Sequence, residues 1–197
     1  ADEEARSALA LLGIEDRADI LDFCCGPGRH TIALAKMGHR VLGIDRTACY
    51  LDIGRKKALA SGVPVSFELG DVRTFRREKA FDGAVSMFSS FGYFEDPQDD
   101  IRLLENVVAS LRPGGKLVMD LLGKEVIARS FTSRSWSEPE PGLLWLEERR
   151  VLPGWSAIEN KWTLVKGDQK REHVLTIRMY SGSELAAAFS RAGFSRV

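Results

Sequence analysis

Two glycines and two aspartates are the residues of this sequence whose types and spacing suit the binding of a nucleoside. Gly26 and Gly28 follow a short apolar run that ends in two cysteines, and they let the backbone turn sharply and approach a ligand with no Cβ in the way. Asp45 ends the next apolar run, 23 residues after Asp22. An acid at this place in a βαβ unit accepts hydrogen bonds from ribose hydroxyls. The pattern therefore predicts a ligand that contains a ribose.

The same stretch disfavours a ligand that contains a pyrophosphate. A dinucleotide fingerprint needs a third glycine three residues after Gly28, and position 31 is Thr. No Lys-Ser/Thr pair follows the glycines, as a phosphate-binding P-loop requires. An NAD(P)-dependent oxidoreductase is therefore the weaker hypothesis, and the absence of a Tyr-x-x-x-Lys pair weakens it further. Structural alternatives also stay open, with the glycines as a plain strand–helix turn and Asp45 as a helix cap.

The elements that must hold these residues alternate between strands and helices. Strands are predicted over 18–24, 40–45, 65–69, 81–87 and 116–122, and helices over 3–12, 28–37 and 48–60, with a fourth helix around 103–111 that is stopped by Pro113-Gly114-Gly115. Such alternation is typical of a parallel sheet covered on both faces. We expect an α/β fold with a Rossmann-like, doubly wound and mostly parallel sheet, whose ligand lies beyond the carboxyl ends of the strands.

The pattern changes after residue 123. Three longer strands are predicted over 143–152, 155–165 and 172–180, and all four tryptophans fall in this stretch: Trp136, Trp145, Trp155 and Trp162. A helix over 181–194 follows. We interpret 124–180 as an antiparallel β insertion between the fifth and sixth strands. Residues 1–123 and 181–197 then form the ligand-binding domain.

Composition excludes several classes of partner. The chain has 28 Lys and Arg and 28 Asp and Glu, so its formal net charge is zero, and no nucleic-acid partner is expected. No apolar run exceeds five residues, which predicts neither a transmembrane helix nor a signal-peptide core. The three cysteines are an odd set with two neighbours, which favours reduced thiols in a cytoplasmic protein. No metal-ligand set is predicted.

Several segments together resemble a known family. The set "ILDFCCGPGRH", "GID", "GDVR", "FDGAVSMFSSFGYF" and "LRPGGKLVMDLL" is similar, in order and spacing, to class I S-adenosylmethionine-dependent methyltransferases. The resemblance runs from about residue 18 to 122 and resumes in "YSGSELAAAFSRAGF". It is closest to the small-molecule group that carries an "SFGYF" segment after the fourth strand. The family's usual loop is Asp-x-Gly-x-Gly-x-Gly, and Cys24 stands where the first glycine normally is.

The resemblance implies a role for each matching residue. Asp22 and the turn from Cys24 to Gly28 would hold the methionine moiety of S-adenosylmethionine. The remaining implied contacts are Arg29 and His30 beside that moiety, Asp45 at the ribose, Arg46 near the adenine, Asp71 and the Val72 amide at the adenine edge, and Ser86 and Met87 at the sulfonium end. For Asp71, an ordinary turn residue is the structural alternative.

The implied reaction is transfer of a methyl group to nitrogen or oxygen of a small molecule. Such transfer needs mainly orientation of the acceptor, and Tyr93 is the best candidate for the orienting group. We expect the insertion to act as a lid over the acceptor. A non-catalytic S-adenosylmethionine-binding module is the alternative, because methyl transfer leaves no obligatory catalytic residue to look for. The family usually adds a sixth and a seventh strand, so we expect either a longer native chain or completion of the sheet edge by another molecule, as in a homodimer.

Overall fold

The computed structural model describes residues 1–197. Its helices are α1 (Asp2–Leu12), α2 (Arg29–Lys36), α3 (Ala48–Ala60), α4 (Pro97–Ser110), α5 (Lys124–Ser130) and α6 (Gly182–Ala192). Its strands are β1 (Asp19–Phe23), β2 (Arg40–Asp45), β3 (Ser66–Leu69), β4 (Phe81–Ser86), β5 (Leu111–Met119), β6 (Arg134–Glu140), β7 (Leu143–Val151), β8 (Ala157–Lys166) and β9 (Gln169–Arg178). None of the helices combines the length and the apolar character that crossing a bilayer requires.

Contacts within the chain divide it into two compact units. The parallel unit comprises Ala1–Ser90, Gln98–Leu121 and Phe189–Val197, and the antiparallel unit comprises Phe91–Pro97 and Leu122–Ala188. Each unit contains one sheet. The domain division that the sequence predicts, with 124–180 as the insertion, remains a prediction.

The parallel unit has a five-stranded sheet with the order β3-β2-β1-β4-β5. Every neighbouring pair in it is parallel. The first three strands extend the sheet in one direction, and β4 then pairs on the other side of β1. The strand order therefore reverses between β1 and β4, which is the point where doubly wound folds bind their ligands. The predicted fold class is confirmed.

The core of the parallel unit forms where apolar strands meet amphipathic helices. Ile20, Phe23 and Ile44 are at most 1% exposed, as expected for strands that are covered on both faces. Helix α1 buries residues at helical spacing, namely Ala5, Ala8, Leu9 and Leu12. It ends at Gly13, whose left-handed backbone (φ 69°) caps the helix. These contacts fix α1 on the sheet.

One aromatic ring fills space that three glycines leave open. The ring belongs to Phe67 in β3. A Cβ added to Gly28 would lie 2.4 Å from an atom of this ring, and a Cβ on Gly43 or on Gly54 would lie 3.0 Å from it. The three glycines come from the turn before α2, from β2 and from α3. Their missing side chains therefore let three elements close around a single ring.

The amino-terminal edge of the parallel sheet carries a chain of ion pairs. Asp19 Oδ2 accepts hydrogen bonds from Arg40 Nη2 at 2.7 Å and from Arg112 Nη2 at 2.9 Å. Arg112 Nη1 donates to Asp82 Oδ1 at 2.6 Å. Asp82 Oδ2 in turn accepts from the Asp19 amide at 2.8 Å. Each carboxylate at this edge therefore has an arginine partner.

The antiparallel unit has a four-stranded sheet with the order β6-β7-β8-β9. The rings of Trp145 and Trp162 meet edge to face on one side of this sheet, 5.7 Å apart. The Nε1 atom of Trp145 is buried and has no hydrogen-bond partner in the protein. Trp136 lies on the other face and is 70% exposed. The predicted antiparallel sheet is therefore present.

The structure corrects three details of the sequence-based elements. Strand β5 begins at Leu111, so Pro113-Gly114-Gly115 lies within the strand, where the register between β4 and β5 shifts, and does not stop helix α4. The sequence RSWSEPE forms a fourth antiparallel strand, β6, which was missed because it lacks alternating apolar residues. Strand β9 begins at Gln169, earlier than predicted, in a polar run that pairs fully with β8.

Candidate functional site

The turn between β1 and α2 has the backbone that its glycines predict, with one addition. Gly26 (φ 54°) and Gly28 (φ 73°) are both left-handed, and so is Cys24 (φ 57°). Gly28 is closed in by Phe67, whereas a Cβ added to Gly26 would meet nothing within 4 Å. The turn is held by a hydrogen bond from the Cys25 amide to the Ile44 carbonyl, 3.0 Å long. Gly26 therefore faces open space at the carboxyl end of the sheet.

Asp22 stabilises this turn through a buried hydrogen bond. Its side chain is only 2% exposed, and Oδ2 accepts a hydrogen bond of 2.6 Å from Thr31 Oγ1. Burial raises the pKa of the Asp22 carboxyl to about 7, against the lowering effect of the Thr31 hydrogen bonds. Thr31, where a dinucleotide fingerprint would have glycine, is thus the partner of this carboxyl. Asp22 fixes the start of α2 relative to β1.

Asp45 ends β2 directly beside the turn. Oδ2 accepts from the Gly26 amide at 2.8 Å, and Oδ1 accepts from the Thr47 amide at 2.8 Å. A carboxylate has about four acceptor positions, so these two bonds leave capacity for two further donors. The Thr47 bond joins residues two apart, and Thr47 itself is the N-cap of α3, with no side-chain capping bond. Asp45 is therefore not the cap of this helix but ties the residue before it to the turn that contains Gly26.

Asp71, at the end of β3, has a different environment from Asp45. Its Oδ1 accepts from the Arg73 amide at 2.9 Å and from Arg73 Nε at 3.0 Å. Arg73 Nη1 reaches Asp99 Oδ2 at 3.1 Å. The hydrogen bonds from Arg73 hold the pKa of Asp71 below its usual range. A ligand donor at Asp71 would therefore share this carboxylate with Arg73.

The segment after Asp71 is fixed from helix α4. Asn106 Nδ2 donates to the Val72 carbonyl at 3.2 Å and to the Arg73 carbonyl at 2.9 Å. Val72 itself is buried. The Val72 amide, which the resemblance assigns to the adenine edge, therefore belongs to a segment whose backbone position is set by a side chain from another element.

The pKa of the Cys24 thiol depends on several of the predicted site residues. Burial is the main cause that raises its pKa to about 12, and the negative charges of Asp45, Asp22 and Asp71 add to the shift. The positive charge of Arg46 acts in the opposite direction. The charged side chains at the ends of β1, β2 and β3 thus all act on this one thiol. Because the thiol stays protonated at neutral pH, Cys24 is not a nucleophile here.

The end of β4 adds a strained segment. Ser86 is 1% exposed, and its Oγ has no hydrogen-bond partner in the protein. Phe88 (φ 63°) and Ser89 (φ 54°) are both left-handed, which is uncommon for such residues. The Phe88 amide donates to Asp120 Oδ2 at 3.3 Å, and the Ser89 amide donates to the Asp120 carbonyl at 2.8 Å. Asp120 therefore holds this strained segment in place.

Two predicted residues contact the strained segment from α2. The Arg29 guanidinium lies 4.0 Å from the centre of the Phe88 ring, and the His30 ring is stacked on it at 5.7 Å. His30 Nε2 is also 3.0 Å from Glu4 Oε2 of α1. Burial is the main cause that lowers the pKa of His30, so the imidazole is neutral at neutral pH.

Tyr93 belongs to the antiparallel unit, whereas the other predicted site residues belong to the parallel unit. Its side chain is half-exposed, and partial burial raises the pKa of the phenol above its usual value. The hydroxyl is therefore a hydrogen-bond donor at neutral pH and not a base.

Sequence reasoning missed Glu4, Arg73 and Asp120. Asp120 directly follows β5, a position close to that of Asp45 at the end of β2. The sequence-based strand ran to residue 122 and therefore placed Asp120 inside it. Glu4 looked like an ordinary acid in the first turn of a helix, and no pattern in the sequence connects it with His30.

Comparisons with known proteins find similarity to methyltransferases. Residues 20–115 match the family model of a methyltransferase domain. The putative methyltransferase YqeM of Bacillus subtilis (strain 168) is 28% identical over 134 residues, which are 68% of this chain and 54% of that protein. A dTDP-3-amino-3,4,6-trideoxy-alpha-D-glucopyranose N,N-dimethyltransferase of Streptomyces venezuelae is 29% identical over 183 residues, which are 90% of this chain and 76% of that protein.

Solved structures show the same fold. An S-adenosylmethionine-dependent methyltransferase from Clostridium acetobutylicum ATCC 824 has a TM-score of 0.81 and 14% identity, with 97% of this chain and 78% of that chain covered. At this identity the likeness is one of fold. The chain spans about half the length of the first curated relatives that it matches.

Proposed function

We propose that this chain, whose residues 20–115 match the family model of a methyltransferase domain, is a class I S-adenosylmethionine-dependent enzyme that moves a methyl group from S-adenosylmethionine to nitrogen or oxygen of a small molecule. One observation carries the proposal. At the point where the strand order reverses, open space beside Gly26 adjoins the Asp45 carboxylate, which has acceptor positions left. A ligand with a ribose and no phosphate fits this pair.

The chain's own residues would hold the cofactor as follows. Asp45 would accept the two ribose hydroxyls while its other positions keep the Gly26 and Thr47 amides. Asp71 and the Val72 amide would recognise the adenine edge, with Arg46 nearby. The turn from Cys24 to Gly28, braced by Asp22, would hold the methionine moiety beside Arg29 and His30. Ser86 and Met87 end β4 and would face the sulfonium.

When bound, S-adenosylmethionine supplies a methyl group on a positively charged sulfur, which is already a good electrophile. The protein therefore has to orient the acceptor and exclude water, and orientation alone contributes about 7–11 kcal/mol. We infer that the antiparallel unit contributes to acceptor binding. Its two segments leave the parallel unit after the adjacent strands β4 and β5, and its buried Trp145 Nε1 lacks a partner. Tyr93 in this unit would donate a hydrogen bond that orients the acceptor.

We also propose, from the sequence, that the "SFGYF" segment marks a small-molecule group and that 124–180 acts as a lid. We further propose that the protein forms a homodimer and is located in the cytoplasm. The proteins named as sugar N-methyltransferases and ubiquinone O-methyltransferases among the relatives support a small acceptor for this chain.

Two measurements on the same protein test the proposal. Titration calorimetry should show binding of S-adenosylhomocysteine and no comparable binding of NAD. Methyl-labelled S-adenosylmethionine should then transfer label to members of a panel of small amines and alcohols. Tyr93→Phe should lower kcat about tenfold and leave the cofactor Kd within about twofold, since it removes one hydrogen bond to the acceptor.

Tight NAD binding would contradict the cofactor assignment. Binding of S-adenosylhomocysteine with no transfer to any acceptor would favour the non-catalytic module. A Tyr93→Phe variant with unchanged kcat would remove Tyr93 from the site.

A further inference from the structure

A cavity of about 480 Å³ lies at the carboxyl ends of β4 and β5, against helix α1. Its apolar wall includes Leu11 of α1, Met87 after β4 and Met119 of β5. Its polar lining includes Glu3, Glu4 and Asp120, and no lysine, arginine or histidine lines it. A volume of this size holds a six-membered ring with substituents. The cavity therefore combines an apolar body with negative charge.

None of the three carboxylates forms an ion pair with a lysine or an arginine. Glu4 Oε2 lies 3.0 Å from Nε2 of the neutral His30 ring. Glu3 and Asp120 form no ion pair. Glu3 has a structural explanation, because an acid in the first turn stabilises a helix. The Asp120 carboxylate accepts one weak hydrogen bond, from the Phe88 amide at 3.3 Å, while the Asp120 carbonyl makes the stronger contact with this segment, so the carboxylate keeps acceptor capacity.

A second observation at the same strand end points to a bound molecule. Ser86 Oγ is buried without a partner, one residue before the cavity-lining Met87. Buried polar atoms almost always have a hydrogen-bond partner, and an exception in a native protein is commonly completed by a ligand or an ordered water. The end of β4, beside the cavity, therefore has one buried hydroxyl available to a ligand or an ordered water.

We propose that this cavity binds a protonated amine of a small molecule and that Asp120 is the residue that binds its ammonium group. The proposal rests on the proposed function, for which it makes nitrogen the methyl acceptor. A carboxylate attracts the cation and can take one of its protons, so that an N–H bond breaks, an O–H bond forms and the nitrogen lone pair becomes free. The apolar wall accommodates the carbon skeleton. A neutral alcohol of the same shape lacks the positive charge, so its binding to Asp120 is much weaker.

The test compares a matched pair of probes, cyclohexylamine and cyclohexanol, by ligand-observed NMR on the full chain saturated with S-adenosylhomocysteine. The amine should bind at least about tenfold more tightly than the alcohol, since a hydrogen bond to a charged group typically contributes that factor or more. Asp120→Asn should reduce this preference about tenfold. Glu3→Gln, an exposed change on α1, should reduce it about two- to threefold.

Asp16→Asn is the matched control, because it removes one exposed charge from the same unit outside the cavity. It should leave the preference unchanged. Equal binding of amine and alcohol, or an unchanged preference in Asp120→Asn, would overturn the inference. S-adenosylhomocysteine binding is measured in the same samples. Its loss in the parent protein would contradict the proposed function, whereas its retention without amine preference contradicts only the inference about the cavity.

Discussion

Asp19 and Asp22 lie at opposite ends of the same strand, β1, and their carboxyl groups are held in opposite ways. At the amino-terminal edge, hydrogen bonds from Arg40 and then Arg112 lower the pKa of Asp19 to about 2. At the carboxyl-terminal edge, burial raises the pKa of Asp22 to about 7. Arginines neutralise the first edge, whereas backbone amides and a hydroxyl hold Asp22 and Asp45 at the second.

We interpret this difference in hydrogen-bond partners as a division of roles between stability of the fold and binding of a ligand. An acid with an arginine partner has its charge balanced and little capacity for a ligand, so it stabilises the fold. An acid held by neutral donors keeps part of its acceptor capacity, as Asp45 does, although burial keeps Asp22 partly protonated at neutral pH. The carboxyl-terminal edge therefore offers acceptor capacity where we propose that the cofactor binds. We expect substitutions at the two edges to have separable effects.

The largest effect on stability should come from adding a side chain at Gly28, where the Phe67 ring leaves no room for one. Gly28→Ala places a Cβ 2.4 Å from the Phe67 ring in a left-handed backbone, and we expect the free energy of unfolding to fall by about 2–5 kcal/mol. Gly26→Ala is the control, because it has the same backbone strain but open space, and it should cost about 1–2 kcal/mol. Urea unfolding measures both. Equal losses in the two variants would contradict the contrast between the closed and the open glycine.

The next prediction compares one acid from each edge, of which one should affect cofactor affinity and the other the free energy of unfolding. Asp45→Ala should weaken S-adenosylhomocysteine binding about a hundredfold or more, because two charge-assisted hydrogen bonds are lost. Asp19→Ala should leave that affinity within about twofold and lower the free energy of unfolding by about 1–3 kcal/mol. Calorimetric titration and urea unfolding of both variants check this. A large affinity loss in Asp19→Ala would show that the edges are coupled.

The smallest effect concerns the pH dependence of stability. The unfolded chain holds the Asp19 proton at a pH where the folded protein has released it, so the parent gains stability as pH rises from about 2 to about 4. The folded protein keeps the Asp22 proton up to about pH 7, so the parent loses stability as pH rises from about 4 to about 7.

Asp19→Asn should flatten the rise, and Asp22→Asn should flatten the fall, each by about 1 kcal/mol or more across its range. Urea unfolding from pH 2 to 8 measures both slopes. If Asp22→Asn left the fall between pH 4 and 7 intact, the raised pKa of Asp22 would be wrong.

The sequence predicted the parallel sheet and the residues at its carboxyl ends because local signals were strong there. Continuous apolar runs, paired glycines and an acid after a strand each have a short-range physical cause. The same reasoning failed at β6, whose polar, proline-containing sequence becomes a strand only by pairing with β7. It also failed at Pro113-Gly114-Gly115, where tertiary pairing with β4 overrides residues that normally end an element.

Contacts between distant residues were beyond the sequence. Arg73 holds Asp71 and also reaches Asp99, and nothing in the "GDVR" segment indicates the second contact. The link between Glu4 and His30 joins residues 26 positions apart. Such pairs depend on how helices lie against the sheet, which composition and periodicity do not specify.

The Phe67 ring and its three glycines have a consequence for how this sequence can evolve. Positions 28, 43 and 54 come from three separate elements, yet each is limited by one shared obstacle. A smaller residue at 67 would relax the limit at 54, whereas 43 would stay restricted by Cys25 Sγ and Thr31 Oγ1, and 28 by its left-handed backbone. A substitution at 54 should therefore be accepted more readily after one at 67. The Phe67 ring therefore limits which substitutions the surrounding elements accept first.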